Sequence, residues 1–183
     1  MLYKKWTNTL ENLCMQYRGI IIHQVIDIET LIDSLLTGYY IGYDDVPMFS
    51  TDSRTPWDKQ EEFIHSFLSR QNVNLDGKLT SLIFLLEHHC SEYLSEHPSL
   101  KPNLRKLVEK RNVFAHMKFN ALESNLEKQE IILYKYTTED GKKKTAKVVM
   151  NPDKMDDLSR KFIKSIKELN EAGKILLSAK GAI

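Results

Sequence analysis

Residues 102–117 read PNLRKLVEKRNVFAHM, and the reading of this stretch decides how the chain is understood. On a helix turning about 100° per residue, Leu104, Leu107, Val108, Phe114 and Ala115 all fall within roughly 60° of Arg111. Arg111 therefore stands in the middle of an apolar stripe. Burying an unpaired charge is costly, so a guanidinium at that position is expected to meet a carboxylate, a cluster of carbonyls or an anionic ligand. Asn112 and His116 are four residues apart and share a second face, about 140° from Arg111 in the case of His116. A histidine near a helix C-terminus can also serve simply to offset the helix dipole.

The complementary anomaly lies upstream. From about Thr7 to Tyr40 apolar residues recur at helical spacing, including Leu10, Leu13, Cys14, Tyr17, Ile21, Ile22, Val25, Ile26, Ile32, Leu35, Leu36 and Tyr39. This predicts a long first helix, broken near Gly19. Glu29 has Ile22, Val25, Ile26, Ile32 and Leu36 within about 60° of it, so an anion also occupies a stripe centre. Two opposite charges on two core-facing stripes suggest either a buried salt bridge that fixes helix register or a shared polar cleft.

Further out, residues 42–56 concentrate Gly, Asp-Asp, two prolines and STDS, which predicts an exposed loop. Helical spacing returns from Trp57 to Gln71 and again from about Leu79 to Leu94, the latter ending before His97-Pro98. The fourth helix starts near Pro102 and runs to about Met117. Two β-prone runs, Glu130–Tyr136 and Lys143–Met150, flank TTEDGKK, where Asp140-Gly141 signals a hairpin. Asn151-Pro152-Asp153 then opens a last helix with Leu158, Phe162, Ile166, Leu169 and Ile175 on its stripe. The expected fold is mainly α, a bundle of four to five helices with a β-hairpin inserted before the last helix. We read a single domain over residues 1–183, with the helical core at about 7–120, the hairpin at about 130–150 and the last helix at about 153–178.

Composition narrows the function classes. With 42% apolar and 28% charged residues, and only 7 Gly and 5 Pro in 183, the chain is neither disordered nor fibrous. The 26 Lys and Arg nearly cancel the 25 Asp and Glu, so any nucleic-acid contact must be local. Cys14 and Cys90 offer neither a disulfide framework nor a zinc knuckle, which fits a reducing compartment, and we expect the cytoplasm. The run GIIIHQVI is too short and interrupted to span a bilayer, so no membrane association is expected.

RNVFAH, residues 111–116, resembles the R-x4-6-H signature of HEPN domains, in the form where Asn follows the Arg and an apolar helix precedes it. YRGIIIHQVIDIETLIDSLLTGYY, residues 17–40, resembles the long first helix of HEPN-like proteins, which often places an acidic residue on its inner face, here Glu29. The order of helices agrees over roughly residues 10 to 120. The resemblance implies a homodimer in which two motif helices meet at a two-fold axis and form a composite cleft. It further implies a metal-independent endoribonuclease, of the sort found in toxin–antitoxin and phage-defence systems. The expected catalytic residues are Arg111, Asn112, His116 and Glu29: His116 moving protons, Arg111 stabilising phosphoryl charge, Asn112 orienting the phosphate or imidazole, and Glu29 holding Arg111 or accepting a proton. RNA is the expected substrate, with an antitoxin or another protein as a further partner, and no cofactor is expected. The alternative is a non-catalytic HEPN-like module that dimerises or binds a nucleotide or protein through the same residues.

Other constellations carry less. His88, His89 and Cys90 diverge by about 100° per step and cannot all ligate one ion, so no metal site is expected there. Lys142–Lys144 reads as a solvated turn that could add a phosphate contact, and Tyr39, Tyr40 and Tyr43 read as packing.

Overall fold

The helical spacing at the start of the chain is sustained without a break. In the computed structural model, which describes residues 2–41, 56–68, 74–139 and 142–180, α1 runs over Leu2–Tyr40. The expected break near Gly19 does not occur. A glycine inside a helix costs about 1 kcal/mol relative to alanine, and the buried side chains of Tyr17 and Ile21 on either side hold the helix through it. After α2 (Pro56–Phe63) and a π-helical stretch (Ile64–Leu68) come α3 (Leu75–His89), α4 (Ser91–Glu96) and α5 (Leu100–His116). Strands β1 (Lys118–Phe119), β2 (Ile131–Glu139) and β3 (Lys142–Met150) precede α6 (Pro152–Lys180).

The helix expected over 79–94 is two helices. Asn74 caps α3 earlier, its Oδ1 accepting from Gly77 N at 2.9 Å, and Cys90 leaves helical geometry at φ −130°, ψ 32°. The Cys90 N–H still closes the last turn of α3 on Leu86 O, and its buried thiol donates to the Ala172 carbonyl of α6 at 3.7 Å. The break thus keeps its hydrogen bonds. At the other end of the chain Asn151 Oδ1 accepts from Lys154 N at 3.1 Å, and Pro152 takes the first helical position, where a missing N–H costs nothing.

The hairpin forms in the expected register. β2 and β3 pair antiparallel from Ile131↔Met150 to Glu139↔Lys142, and β1 adds a short third strand in the order β1-β2-β3. Residues 140–141, the turn signal itself, lie outside the described residues, as do residues 42–55 of the expected loop.

The chain divides into two compact units. Unit 1 comprises Met1–Ile26 and Lys106–Ile163, and unit 2 comprises Asp27–Arg105 and Lys164–Ile183, so the division falls within α1, α5 and α6. The core of unit 1 is drawn from Leu10, Cys14, Tyr17, Ile21 and Val25 of α1, Leu107, Val108 and Phe114 of α5, Ile131–Leu133 of β2, and Met155 and Leu158 of α6. The segment before β2 is tied down by polar bonds: Ser124 Oγ donates to Asn120 O at 2.7 Å and accepts from Ile132 N at 2.9 Å, and Tyr17 donates to Gln129 O at 3.0 Å. That last bond fixes a turn in which Gln129 has a φ of 49°.

In unit 2 the core is Ile28, Ile32, Leu35 and Leu36 of α1, the apolar stripe of α3, Leu100 and Leu104 of α5, and Leu169, Ala172 and Leu176 of α6. Here α1 and α6 approach so closely that a Cβ at Gly173 would collide with Leu35 Cδ2. Gly173→Ala should therefore lower stability by about 1–2 kcal/mol in denaturant melts, although alanine is the better helix former. Trimming Leu35 to Val in the same chain should recover part of the loss; a stabilised Gly173→Ala would show that the contact is slack.

Candidate functional site

The signature helix α5 tolerates Pro102 because it lies in the first turn, where the N–H has no intrahelical acceptor. Its far end is held at three points within unit 1. Phe114 is fully buried, with none of its surface exposed, and Met117 is 3% exposed and closes the last turn through N–H donation to Val113 O at 2.9 Å. The Met117 carbonyl accepts from Arg18 Nη2 of α1 at 2.6 Å, so a guanidinium caps the helix end. One residue on, β1 is already paired with β2, Lys118 opposite Tyr134 and Phe119 opposite Leu133.

On this fixed end Arg111, Asn112 and His116 are all exposed. Arg111 Nη1 donates to Asn112 Oδ1 at 3.2 Å. Asn112 and His116 stand one turn apart on the same face, as the spacing required. The expectation of a buried Arg111 is corrected. Leu104 and Leu107 point in the same direction and are buried, but by the last turns the buried stripe has rotated to Phe114 and Met117, about 60° and 120° round the helix from Arg111. A wheel gives direction and not depth.

Glu29 lies in unit 2, and the cation that meets it there is Lys78 of α3. Lys78 Nζ donates to Glu29 Oε1 at 2.9 Å and to Asp33 Oδ2 at 2.8 Å. The Lys78 side chain is only 7% exposed, against 36% for Glu29. Burial pulls the ammonium toward losing its proton, but the hydrogen bonds and charges of Asp33 and Glu29 outweigh it, and Lys78 holds its proton more tightly than a free lysine. Burial pushes the Asp33 carboxyl up, against the pull of Lys78 and with the Glu29 charge adding to the rise. Two carboxylates share one ammonium, which leaves this cluster one negative charge. Glu29 is thus a member of a structural ion triad, and the assignment of Arg111 as its partner gives way to Lys78.

Sequence reasoning passed over both cations that matter here. Arg18 lies four residues after buried Cys14 and three before buried Ile21, and Lys78 four before buried Leu82, the same stripe-centre signal that singled out Arg111. His89 is engaged by Tyr39, whose hydroxyl is 2.8 Å from Nε2. Among the described residues no group of three His, Cys, Asp or Glu side chains is placed to hold a metal ion. No family model matches the chain, and comparison with curated proteins and with solved structures found no match.

Lys78→Met strands two carboxylates. A fully buried pair broken this way loses about 3–5 kcal/mol, and the partial exposure of Glu29 brings the expected loss to about 2–3 kcal/mol at neutral pH. With Lys78 gone, burial and the Glu29 charge still push the Asp33 carboxyl up, so the penalty applies above the carboxylate range and fades as pH falls through it. The gap between wild type and variant in urea melts should narrow from about pH 7 to about pH 4. A gap that widens with acid would contradict the triad.

Proposed function

We propose that this chain is a metal-independent endoribonuclease of the HEPN kind. The observation that supports it is the exposure of Arg111, Asn112 and His116 at the end of a helix whose buried side is anchored by Phe114, Met117 and the Arg18 cap. The backbone that carries these side chains is fixed by the fold while the side chains themselves are uncovered, which suits groups that must reach a substrate.

In this reading a ribose 2′-hydroxyl attacks the adjacent phosphorus, the bond to the 5′-oxygen breaks, and a cyclic phosphate remains. The 2′-hydroxyl proton passes to a neutral imidazole, and the leaving 5′-oxygen takes a proton from an imidazolium. Arg111 offsets the charge that develops on the phosphoryl oxygens, and Asn112, bonded to Arg111, keeps its guanidinium oriented. One chain supplies a single His116, so acid and base are best furnished by two copies, and we take the active species to be a homodimer joined at α5. Glu29 is engaged by Lys78 within unit 2 and is assigned no part in the chemistry. Action as a toxin or phage-defence component, with an antitoxin or other protein partner, belongs to the same proposal.

His116→Ala should reduce cleavage of a mixed RNA pool by about 10²–10⁴-fold. Its melting transition should be unchanged, because the residue is exposed. Cleavage should persist in EDTA and leave cyclic phosphate ends, and light scattering should give twice the chain mass. A folded wild type that cleaves no RNA would favour the binding-module reading, and activity retained in His116→Ala would remove the mechanism.

A further inference from the structure

The near-neutral chain conceals an uneven distribution of charge. Unit 1 carries 16 Lys and Arg against 10 Asp and Glu, a surplus of six positive charges, while unit 2 carries 10 against 15. Within unit 1 a cavity of about 330 Å³ is lined by four lysines drawn from three elements. Lys106 and Lys110 stand one turn apart on α5, Lys147 is on β3, and Lys154 is in the first turn of α6.

The negative groups near them are already answered. Asp157 also lines the cavity, but it is paired with Lys161; that hydrogen bond, with the charges of Arg160 and Lys106, holds its carboxyl below the usual range. Lys147 is bonded to Glu123 at 2.7 Å, outside the lining, and Lys154 Nζ donates to the Val149 carbonyl at 2.9 Å. Lys106 and Lys110 are therefore the ammonium groups best placed to turn toward a ligand. Positive charge exceeds negative along the lining, four lysines to one aspartate, and an anion there offsets the surplus.

We infer that this lysine-lined cavity is a docking site for the phosphodiester backbone of single-stranded RNA. Lysine binds phosphate as a point charge without the planar fork of arginine, so the site reads charge and carries no base preference. Half-buried Val148, also in the lining, gives a ribose an apolar surface to rest on. RNA is favoured over an acidic polypeptide because the cavity shares α5 with the signature residues. Lys110 precedes His116 by six residues, about 9 Å along the axis and about 120° round it, so a strand held at the lysines reaches His116 by following the helix surface part of the way round. This choice of ligand rests on the ribonuclease reading, whereas the site as an anion acceptor does not.

The test uses the full-length chain carrying His116→Ala, so that RNA stays intact, with a short fluorescent single-stranded oligoribonucleotide of mixed sequence and anisotropy as readout. Adding Lys106→Gln and Lys110→Gln should weaken binding at least tenfold. It should also lower the slope of log affinity against log salt by about 1.4, two phosphate contacts at about 0.7 each. Lys106→Arg with Lys110→Arg should bind as the parent does, which also guards against a folding defect. Lys128→Gln with Lys135→Gln removes the same charge from exposed positions of unit 1 outside the cavity and should change little. Equal weakening by that control, or an unchanged slope in the cavity variant, would overturn the site. Displacement of the RNA by polyglutamate at equal charge would overturn RNA as its ligand. Cleavage by chains that retain His116 separates the two readings. If they cleave and the cavity substitutions leave KM unchanged, docking fails and the ribonuclease stands. Binding that depends on the cavity lysines in a chain that cleaves nothing leaves the site standing without the enzyme.

Discussion

The carbonyl of Met117 ends α5 with no helical N–H ahead of it, and the Arg18 guanidinium reaches across from α1 to supply one. Much of unit 1 depends on that bond. It sets where α5 stops, and β1 begins at the next residue, so the register of the sheet follows from the helix end. The arrangement is kept against a cost: Arg18 Nε is buried with no hydrogen-bond acceptor among the described residues. An unmet buried donor costs about 1–3 kcal/mol, so the remaining contacts of Arg18 and the burial of Phe114 and Met117 must outweigh it. The outcome is a helix end whose inner side is pinned while its outer side is left to solvent.

Unit 2 solves a similar problem with a different cation. Lys78 enters an apolar stripe and is neutralised by two carboxylates, one turn apart on α1, where Arg18 is met by a backbone carbonyl. In both, a long flexible side chain carries charge from its own helix to a neighbour, and the pairing specifies which turn faces which. Tyr93 plays a comparable part between α4 and α6, donating to the Glu168 carbonyl and to the Glu171 carboxylate at 2.9 Å, a bond that with burial pushes its hydroxyl well above the ordinary phenol range.

The long elements were legible because periodicity is a property of consecutive residues. α1 and α6 emerged from their stripes, and the hairpin from two β-prone runs around Asp140-Gly141. The break at Cys90 was not, since the apolar spacing continues through it and the reason for it, a carbonyl of α6, is remote in sequence. β1 was too short at two residues to leave a pattern. The same limit explains Arg111 and Glu29: spacing found both on apolar stripes, but depth and partner are decided by neighbours that spacing does not name. Lys78, four residues before Leu82, carried an equal signal, and a search for every charge on a stripe would have found it beside Glu29.

Among the described residues, in the order β1-β2-β3 the nine-residue β3 is an edge strand, and beyond Tyr134, which pairs with Lys118, the far half of β2 has β3 as its partner in the sheet. A ribbon of this kind offers unpaired backbone N–H and C=O groups to any other strand, the usual route to sheet extension between molecules. β3 begins Lys142-Lys143-Lys144 and carries Lys147 further along. A strand sequence this rich in lysine brings like charge together when two copies approach edge to edge, which disfavours pairing of their backbones. That opposition weakens as salt screens charge over about 3 Å at molar ionic strength.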